Sequence, residues 1–533
     1  MKKPLNILFA FADDWGRYAS CYQKLHGENS LSSVMQTPHI DRIANEGVLF
    51  ANAHVPAPSC TPCRSSVISG RYFWQTRLGA ILSGAVFDQS IPTFPKILEE
   101  NGYHVGFTYK VWGPGVALND PYAGEGNKYV DKGVAFNQFS FHATENVEKG
   151  FSIEEAKSPL YNEVRENFQD FITNREEGKP FFYWWGPTTT HRKWKRGSGK
   201  KLWGIEPDEL RGKLPEFLPD VHEVREDVAD YLGESMAVDR GLGVLIAELE
   251  KMGELDNTLI VVSGDHGIPG FPRAKCNLYD IGSEVSLMIR LPNTIPGGRV
   301  IEDMTNIMDL APTFLDMVQC EIPQSMTAKS LKKTLVSEKE GRIKSEEDYV
   351  ITGRERHVAH ARQWNLPYPS RAIRTAEYTY IRNFEPNRWP AGDPHGLDDV
   401  HKPAPPYEEL AENGYAAYYD MDASPTKAWM IHHRGEEKYN KSFQLGFGKR
   451  PTEELYHNNR DPHQMNNLAE DEAYQTIKGE LSRTLLHELE AQQDPRVVEE
   501  DCRFEHSPYT DLKLNNSAYT ETIELSKLRW EQS

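Results

Sequence analysis

Short apolar runs alternate with amphipathic stretches along the first half of the chain. A helical pattern begins at Thr37 and Pro38, and a longer amphipathic stretch covers about 228–249. This alternation predicts an α/β fold in which a large mixed, mostly parallel sheet is sandwiched by helices. The runs that have the length of one buried strand are Asn6 to Ala12, His104 to Thr108, Pro180 to Trp185 and Thr258 to Ser263.

The pattern changes near residue 370. Arg371 to Thr375 and Tyr378 to Arg382 predict a short antiparallel pair of strands, and Ile477 to Gln492 predicts helix. Between these segments lies a long region rich in proline and glycine. We therefore expect a catalytic domain over residues 1–369 and a smaller C-terminal α+β subdomain over 370–533 that contributes to the substrate pocket.

Composition and charge exclude several classes of protein. The net charge of -19 over 533 residues repels polyanions, which argues against a nucleic-acid binder. No run of about 18 apolar residues is present that could span a bilayer. The residues after Met1 do not resemble a signal peptide. Six cysteines are scattered along the chain and do not settle the redox compartment. Because the chain as a whole is negatively charged, an anionic substrate would have to bind in a local cationic pocket.

Two of the predicted strands end in clustered polar residues. Asp13 and Asp14 follow the first strand, and Asp265 and His266 follow the strand that starts at Thr258. Open α/β sheets bind ligands at this edge, and carboxylates brought together there repel unless a divalent cation lies among them. The pattern favours a metal site. The alternative interpretation is that these residues only form turns that cap helices.

A third segment has the features of a nucleophile site. Pro62 marks a helix start whose backbone N–H groups would face Cys60, and Arg64 lies one turn further on. An anion at Cys60 would therefore be stabilised by the helix terminus and by a guanidinium. Cys60 and Cys63 also form a CxxC pair, for which a redox pair or half of a metal site is the alternative.

The spacing of Cys60, Pro62, Arg64 and Gly70 fits the pattern CxPxRxxxxxG. Together with the DDWG and GDHG strand ends, and with Glu454-Leu455-Tyr456 near the end of the chain, it resembles the type I sulfatases of the alkaline-phosphatase superfamily. The resemblance implies that a separate formylglycine-generating enzyme oxidises Cys60 to formylglycine. It also implies that the hydrated aldehyde, a gem-diol, attacks the sulfur of a sulfate ester.

The resemblance also assigns roles to individual residues. It implies one divalent ion, Ca²⁺, held by Asp13, Asp14, Asp265, His266 and the modified Cys60. It further implies that Arg64, Lys110 and Lys275 bind the sulfate, and that His191 lies beside the leaving-group oxygen.

Two positions depart from the family pattern. A lysine and a histidine usually follow the strand that ends near Thr108, but here Lys110 is followed by Val111 and Trp112. The base that completes the reaction is therefore left open, with His54, His104 and His142 as candidates by sequence proximity. His266 stands where many members have asparagine, whose amide oxygen is a better calcium ligand than imidazole.

Within the family the chain is most similar to the branch that contains heparan N-sulfatase, through Thr190 to Arg192, Asn277 to Tyr279 and Tyr368 to Arg371. This likeness implies that the substrate is a carbohydrate sulfate and that the enzyme is exo-acting, at the end of an oligosaccharide or polysaccharide. Arg356 and His357, near the domain junction, are candidate substrate contacts, with a strand end carrying solvated charges as the alternative.

Several alternatives stay open at this stage. The bond cleaved can be N–S, as in an N-sulfoglucosamine sulfohydrolase, or the substrate can be a phosphonate or phosphate monoester of the same superfamily. A non-enzymatic alternative is a carbohydrate-binding pseudo-sulfatase that has lost the histidine after Lys110. Family habit predicts a periplasmic or secreted enzyme, and the lack of a recognisable signal leaves a cytoplasmic one open.

Overall fold

The computed structural model describes residues 3–117, 127–344 and 348–508 of the chain. Its strands and helices alternate through the first 320 residues, as the sequence predicts. The strands of the described residues are β1 (Asn6–Ala12), β2 (Val48–Phe50), β3 (Ala53–His54), β4 (His104–Tyr109), β5 (Phe181–Gly186), β6 (Thr258–Gly264), β7 (Leu287–Arg290), β8 (Arg299–Ile301), β9 (Thr305–Asn306), β10 (Val350–Arg354), β11 (Ser370–Arg374), β12 (Tyr378–Asn383) and β13 (Glu453–His457). The helices are α1 (Gln23–His26), α2 (Pro38–Glu46), α3 (Cys60–Ser69), α4 (Phe94–Glu100), α5 (Phe139–Glu148), α6 (Ile153–Thr173), α7 (Ser198–Trp203), α8 (His222–Lys251), α9 (Asp280–Ser283), α10 (Leu310–Met317), α11 (Lys332–Val336), α12 (Tyr407–Glu412), α13 (Pro425–His432), α14 (Glu437–Phe447), α15 (Gln475–Ala491) and α16 (Pro495–Val498).

The large sheet has seven strands within the described residues, in the order β4-β5-β1-β6-β7-β2-β8. Strands β4, β5, β1 and β6 are parallel, with Ile7 of β1 opposite Phe182 of β5 and Leu259 of β6. Strand β7 is antiparallel to both of its neighbours, and β8 returns to a parallel pairing with β2. The mixed, mostly parallel sheet predicted from the sequence is confirmed.

Both faces of this sheet are covered by helices. Alternate residues of β1 enter two separate cores, because side chains along a strand point to opposite faces. Leu8 lies in one core with Leu242 of α8, whereas Ile7 lies in the other with Phe314 of α10. A strand buried on both faces must be apolar throughout, which explains the unbroken run at the start of the chain. Among the described residues no helix combines the length and apolarity that a membrane crossing requires.

A second, four-stranded antiparallel sheet has the order β10-β11-β12-β13. Ile373 of β11 pairs with Ile351 of β10 and with Tyr380 of β12, and α15 covers the sheet with Leu485 and Leu489. The predicted antiparallel pair forms the centre of this sheet. Its first strand begins at residue 350, so the sheet draws on both sides of the predicted boundary between residues 369 and 370, which stays a prediction.

Candidate active site

Four neighbouring strands of the large sheet carry the predicted site residues at their carboxyl ends. In the order β4-β5-β1-β6, the residues that follow are Lys110, His191, the Asp13 and Asp14 pair, and Asp265 with His266. Parallel strands end at one edge of the sheet, so residues far apart in sequence meet there. The backbone N–H of Asp14, which has φ 55°, donates to Asp265 Oδ1 at 2.8 Å.

Cys60 is the first residue of α3 and is 2 % exposed. Ser59 precedes it in an extended conformation, and Pro62 lies in the first turn, where its missing N–H costs no helical hydrogen bond. Gly70 ends the helix at φ 62°, in the left-handed conformation that glycine adopts without strain. The sequence pattern CxPxRxxxxxG therefore corresponds to one complete, buried helix that presents Cys60 at its N-terminus.

Four ligand atoms converge around Cys60. One atom each from Asp14, Cys60, Asp265 and His266 lies within 4.8 Å of all the others, and all four residues are buried. His266 Nε2 is 3.1 Å from Asp14 Oδ1 and 3.3 Å from Cys60 Sγ. The Nδ1–H group of His266 donates to the Gly267 carbonyl at 3.1 Å. The lone pair of Nε2 is therefore available to a cation. Two carboxylates, an imidazole and a residue 60 donor atom fit a divalent cation.

Asp13 belongs to a second group, with Asp14 and His191. Its Oδ1 atom accepts from Arg64 at 3.0 Å, and both of its oxygens accept from Lys110 at 2.7 and 2.8 Å. Burial opposes the ionisation of Asp13, but Lys110 and then Arg64 outweigh it and hold its pKa well below the ordinary value. Asp13 is therefore paired mainly with the cationic side chains of Lys110 and Arg64.

Two buried cations, Arg64 and Lys275, and the half-buried Lys110 surround the carboxylates. Arg64 Nε donates to Asp265 Oδ2 at 2.8 Å, and Lys275 Nζ donates to Asp14 Oδ2 at 2.8 Å. Asp14 and Asp265 thus each place one oxygen on a cation and the other toward residue 60. Burial opposes the charge on Lys275, yet Asp14 and further carboxylates outweigh it and raise its pKa well above the ordinary value. The lysine is therefore a permanent cation.

His191 stands at the open side of this cluster and is half-buried. Its Nε2 atom is 3.5 Å from Lys275 Nζ and 3.9 Å from Asp14 Oδ2. It also lines a cavity of about 370 Å³ with Arg192, Lys193 and Phe141. The imidazole therefore joins the buried charges to a space that is large enough for a substrate.

The sequence did not point to Asp422, which the structure places 3.4 Å from Lys275 Nζ. Burial opposes its ionisation, but Lys275 and then His191 outweigh it and hold its pKa below the ordinary value. Asp420, two residues earlier, is clamped by Arg354 at 2.6 Å and by Arg362 at 2.7 Å. The only signal in the sequence was that Asp420 and Asp422 alternate with apolar residues. Because they lie some 150 positions after Lys275 in the sequence, that signal did not predict the contact between Asp422 and Lys275.

The two candidate substrate contacts lie in different surroundings. Arg356 is 2 % exposed, and its guanidinium donates to the carbonyls of Ser507, Ser83 and Pro508. The structure therefore does not bring Arg356 to the cluster. His357 Nδ1 lies 2.8 Å from the Oγ atom of Ser59, next to Cys60, and burial lowers the pKa of His357 to about 3. It is a neutral imidazole behind the helix start.

The position where relatives carry a histidine is filled by Trp112, whose Nε1 donates to Ser65 Oγ at 2.8 Å. Of the sequence candidates, His104 begins β4, at the edge of the sheet opposite to Lys110, and stacks on Phe171. His54 is held 3.7 Å from Glu284. His142 lies in the middle of α5. The imidazoles that the structure brings near Cys60 are instead those of His266 and His357.

Cys63 lies in the same helix as Cys60 but packs into the second core of the large sheet. Burial raises the pKa of the Cys60 thiol well above its ordinary value, and Asp13 adds to the rise. All six cysteines lie in the described part of the chain and are free thiols. The CxxC pair is not a disulfide in this structure.

Comparison with known proteins identifies the family. The sequence profile described as Sulfatase matches residues 6–320, and the profile described as N-sulphoglucosamine sulphohydrolase, C-terminal, matches residues 273–393. An ulvan-active sulfatase of Formosa agariphila is 25% identical over 505 residues, which are 90% of this chain and 74% of the relative. Human N-sulphoglucosamine sulphohydrolase is 24% identical over 501 residues, 88% of this chain and 86% of the relative.

Solved structures agree on the fold. A structure determined in complex with its substrate D-glucosamine-2-N,6-O-disulfate superposes with a TM-score of 0.60 at 18% identity, covering 94% of this chain and 100% of the other. The chain thus shares its architecture with this solved structure. Because the sulfatase profile matches more than half of its length, the chain belongs to the sulfatase family, and it is a sulfuric ester hydrolase.

Proposed function

We propose that the protein is a formylglycine-dependent sulfatase that removes sulfate from a carbohydrate, with residue 60 as the nucleophile. One observation carries the proposal. Cys60 is the first residue of a buried helix, and its side chain faces both a group of metal-type ligands and a set of cationic side chains. A cationic pocket inside a chain of net charge -19 is what an anionic substrate needs.

The ligand set supports one divalent cation at Asp14, Asp265 and His266, with the residue 60 side chain completing it, and Asp13 as a further ligand stays a prediction. Calcium is the first candidate because carboxylate oxygens dominate, and the imidazole leaves manganese as the alternative. When present, the cation supplies positive charge beside the sulfate, and the oxidised residue 60 supplies the attacking oxygen.

The cationic side chains would hold the sulfate group. Arg64 is buried and fixed by two carboxylates, so its guanidinium is already oriented before substrate arrives. Lys110 and Lys275 flank it, and their ammonium groups can turn from the carboxylates toward sulfate oxygens as negative charge accumulates there. Little reorganisation is then needed when the S–O bond breaks.

His191, with Lys275 beside it, is suited to protonate the leaving oxygen. Their nitrogen atoms lie 3.5 Å apart at the mouth of the buried cluster, next to the cavity that would receive the sugar. An alcohol leaves poorly as an alkoxide, so a proton donor at this point lowers the barrier. Asp422, at 3.4 Å, pairs with Lys275 in addition to Asp14.

The substrate class rests on the relatives. The curated proteins that resemble this chain act on ulvan, on N-sulphoglucosamine and on N-acetylglucosamine 6-sulfate, judging by their names. We therefore propose a sulfated saccharide attacked from its end. Cleavage of an N–S bond is the second candidate, supported by the matching N-sulphoglucosamine sulphohydrolase profile, which covers Lys275. Maturation by a formylglycine-generating enzyme and export from the cytoplasm stay predictions.

The proposal is tested by measuring sulfate released from heparan, chondroitin, ulvan and fucan oligosaccharides, with enzyme matured by a co-expressed formylglycine-generating enzyme. Mass spectrometry of the peptide containing residue 60 should show loss of the sulfur atom. Cys60→Ala should abolish sulfate release, whereas Cys63→Ala, at a variable position of the same helix, should retain it. Full activity with an unmodified Cys60, or faster turnover of nitrophenyl phosphate than of nitrophenyl sulfate, would overturn the proposal.

A further inference from the structure

Two large aromatic side chains are strongly exposed in the segments that precede Asp422. Trp364 is 78 % exposed and Tyr415 is 64 % exposed, whereas most tryptophans and tyrosines of the described chain are at least half-buried. A single exposed ring is ordinary on a protein surface, whereas several aromatic rings grouped together mark a binding surface. Trp364 also has φ 58°, a left-handed conformation that costs a bulky residue conformational energy. Neither burial nor backbone preference therefore explains a tryptophan at this position.

Tyr415 belongs to a segment that leads directly into the active site. Its ring lies 5.5 Å from the ring of Tyr419, which in turn stacks at 5.0 Å on His395. Asp420, the next residue, is buried, and Asp422 reaches Lys275 at 3.4 Å. Tyr415 lies in a short 3₁₀ helix over Gly414–Ala416, and a turn at Tyr419 and Asp420 follows. Tyr415 is exposed and Tyr419 is half-buried, whereas Asp420 is buried, so this segment carries two rings near the surface and an acidic group inside.

Trp364 is tied to the same segment by a buried ion pair. Arg362, two residues before it, donates to Asp420 Oδ2 at 2.7 Å and to the carbonyls of Trp389 and Pro390. The backbone N–H of Gln363 donates to an oxygen of Asp393, two residues before His395, at 2.9 Å. These contacts hold the loop of Trp364 against the segments of His395 and Tyr419. We call Trp364, His395, Tyr415 and Tyr419 the aromatic rim.

The segment that carries Tyr415 is also linked to the cavity at His191. Lys193, which lines that cavity, pairs with Glu412 at 2.7 Å, and Glu412 lies three residues before Tyr415. The aromatic rim is thus connected to the active site twice, through Asp422 at Lys275 and through Lys193 at His191.

We propose that the aromatic rim binds the sugar rings that adjoin the sulfated unit, so that the enzyme recognises an oligosaccharide and not an isolated sulfated monosaccharide. The inference rests on the proposed function and extends it. Sugar rings have one face of C–H groups, which packs on an aromatic ring, and hydroxyl groups at the edge, which bond to polar neighbours. The rim offers both, because charged residues such as Lys193 and Glu412 lie beside the rings.

The loop of Trp364 is held in place before any ligand binds, which favours sugar rings over a flexible partner as the occupant of the aromatic rim. The Asp420 carboxylate receives two guanidinium groups, and Arg362 and Arg354 outweigh its burial to lower its pKa to about 2. A loop held by such contacts loses little entropy when a ligand stacks on it.

The test compares two substrates in the matured full-length enzyme: nitrophenyl sulfate and the sulfated tetrasaccharide that releases most sulfate in the panel above. Trp364→Ala and Tyr415→Ala should each lower kcat/KM on the tetrasaccharide roughly three- to tenfold, mainly through KM, because each loses one stacking contact. Neither should change kcat/KM on nitrophenyl sulfate. Trp364→Phe, which keeps a ring, should recover most of the loss.

Phe151→Ala is the matched control, because Phe151 is an aromatic residue that is 53 % exposed. Phe151 follows the C-terminal end of α5, whereas Phe141, which lines the cavity, lies near the N-terminal end of that helix. It should leave both substrates unaffected. The proposal is overturned if Trp364→Ala and Tyr415→Ala leave the tetrasaccharide rate unchanged, or if nitrophenyl sulfate suffers equally. Equal kcat/KM of the wild type on the sulfated monosaccharide and the tetrasaccharide would also overturn it. A wild type inactive on every sulfate ester overturns the proposed function itself.

Discussion

At the scale of single residues, the site separates groups that hold sulfate from a group placed to deliver a proton. Arg64, Lys110 and Lys275 are bound to carboxylates, whereas His191 borders the cavity, bonds through Nδ1 to the Arg192 carbonyl at 2.6 Å, and approaches Lys275 and Asp14 at longer range through Nε2. The arrangement assigns different tasks to these side chains. Substrates with different leaving groups can separate the tasks experimentally.

Replacing His191 by glutamine should slow the reaction in proportion to how much the leaving group needs a proton. For a sugar alcohol we expect kcat to fall about 10²- to 10⁴-fold, the usual contribution of general acid catalysis. Nitrophenolate leaves readily without a proton, so nitrophenyl sulfate should lose less than about tenfold. The measurement is kcat for both substrates, with Lys110→Ala as the comparison variant, which should slow both to a similar extent. Equal losses in His191→Gln would contradict the role as acid.

The sequence predicted most of this site because its residues adjoin recognisable local signals. Asp13, Asp14 and Asp265 follow apolar strands, and Cys60 lies at a proline-marked helix start. Asp422 carries no such signal, since only the folding of a distant segment brings it to Lys275. Arg356 shows the opposite limit: its charge suggested solvent or substrate, but its guanidinium is buried against carbonyl groups.

At the scale of elements, the strands buried on both faces were predictable from apolar runs, but the short ones were not. Strand β2 has three residues and β7 has four, too few to show a pattern of their own. They are strands because β6 and β8 offer them hydrogen-bonding edges. Helix α8 was predicted from its amphipathic pattern, which covers the centre of its 30 residues.

Helix α8 also carries buried acids, and one of them makes a prediction about pH. Burial raises the pKa of Glu234 to about 8, above the ordinary value of 4.5. Between these values the folded protein holds a proton that the unfolded chain releases. The favourable contribution is therefore complete below about pH 4.5 and is lost as the pH rises toward 8, at about 1.4 kcal/mol per unit.

Glu234→Gln removes this ionisation while keeping the shape of the side chain. The variant should match the wild type in free energy of unfolding near pH 5 and exceed it increasingly from pH 6 to pH 8. Chemical denaturation at several pH values measures the difference. Glu176→Gln, at a side chain that is 84% exposed, should show no such trend. A wild-type advantage that grows with pH would contradict the buried, protonated state of Glu234.

At the scale of the whole molecule, the site has a charge balance unlike that of the chain. The protein carries a net charge of -19, yet the carboxylates of Asp13, Asp14 and Asp265 are matched by Arg64, Lys110 and Lys275. Asp422 beside Lys275 adds one further negative charge, and a divalent cation then turns the balance positive, which attracts a sulfate monoanion into an otherwise negative protein. The cation would also join the ends of β1 and β6 to the start of α3.

Binding across three elements should therefore stabilise the fold as well as the reaction. A cation that binds only the folded state adds about 2.7 kcal/mol when its concentration is a hundred times Kd. We expect the Tm of the chelator-treated protein to rise on addition of calcium, with manganese as the alternative ion, and sulfate release to return with it. Asp265→Asn should weaken the rise in Tm, because one ligand charge is lost, whereas Glu176→Gln should retain it. A Tm and an activity that respond neither to chelation nor to any divalent cation would contradict the assignment of Asp14, Asp265 and His266 as ligands.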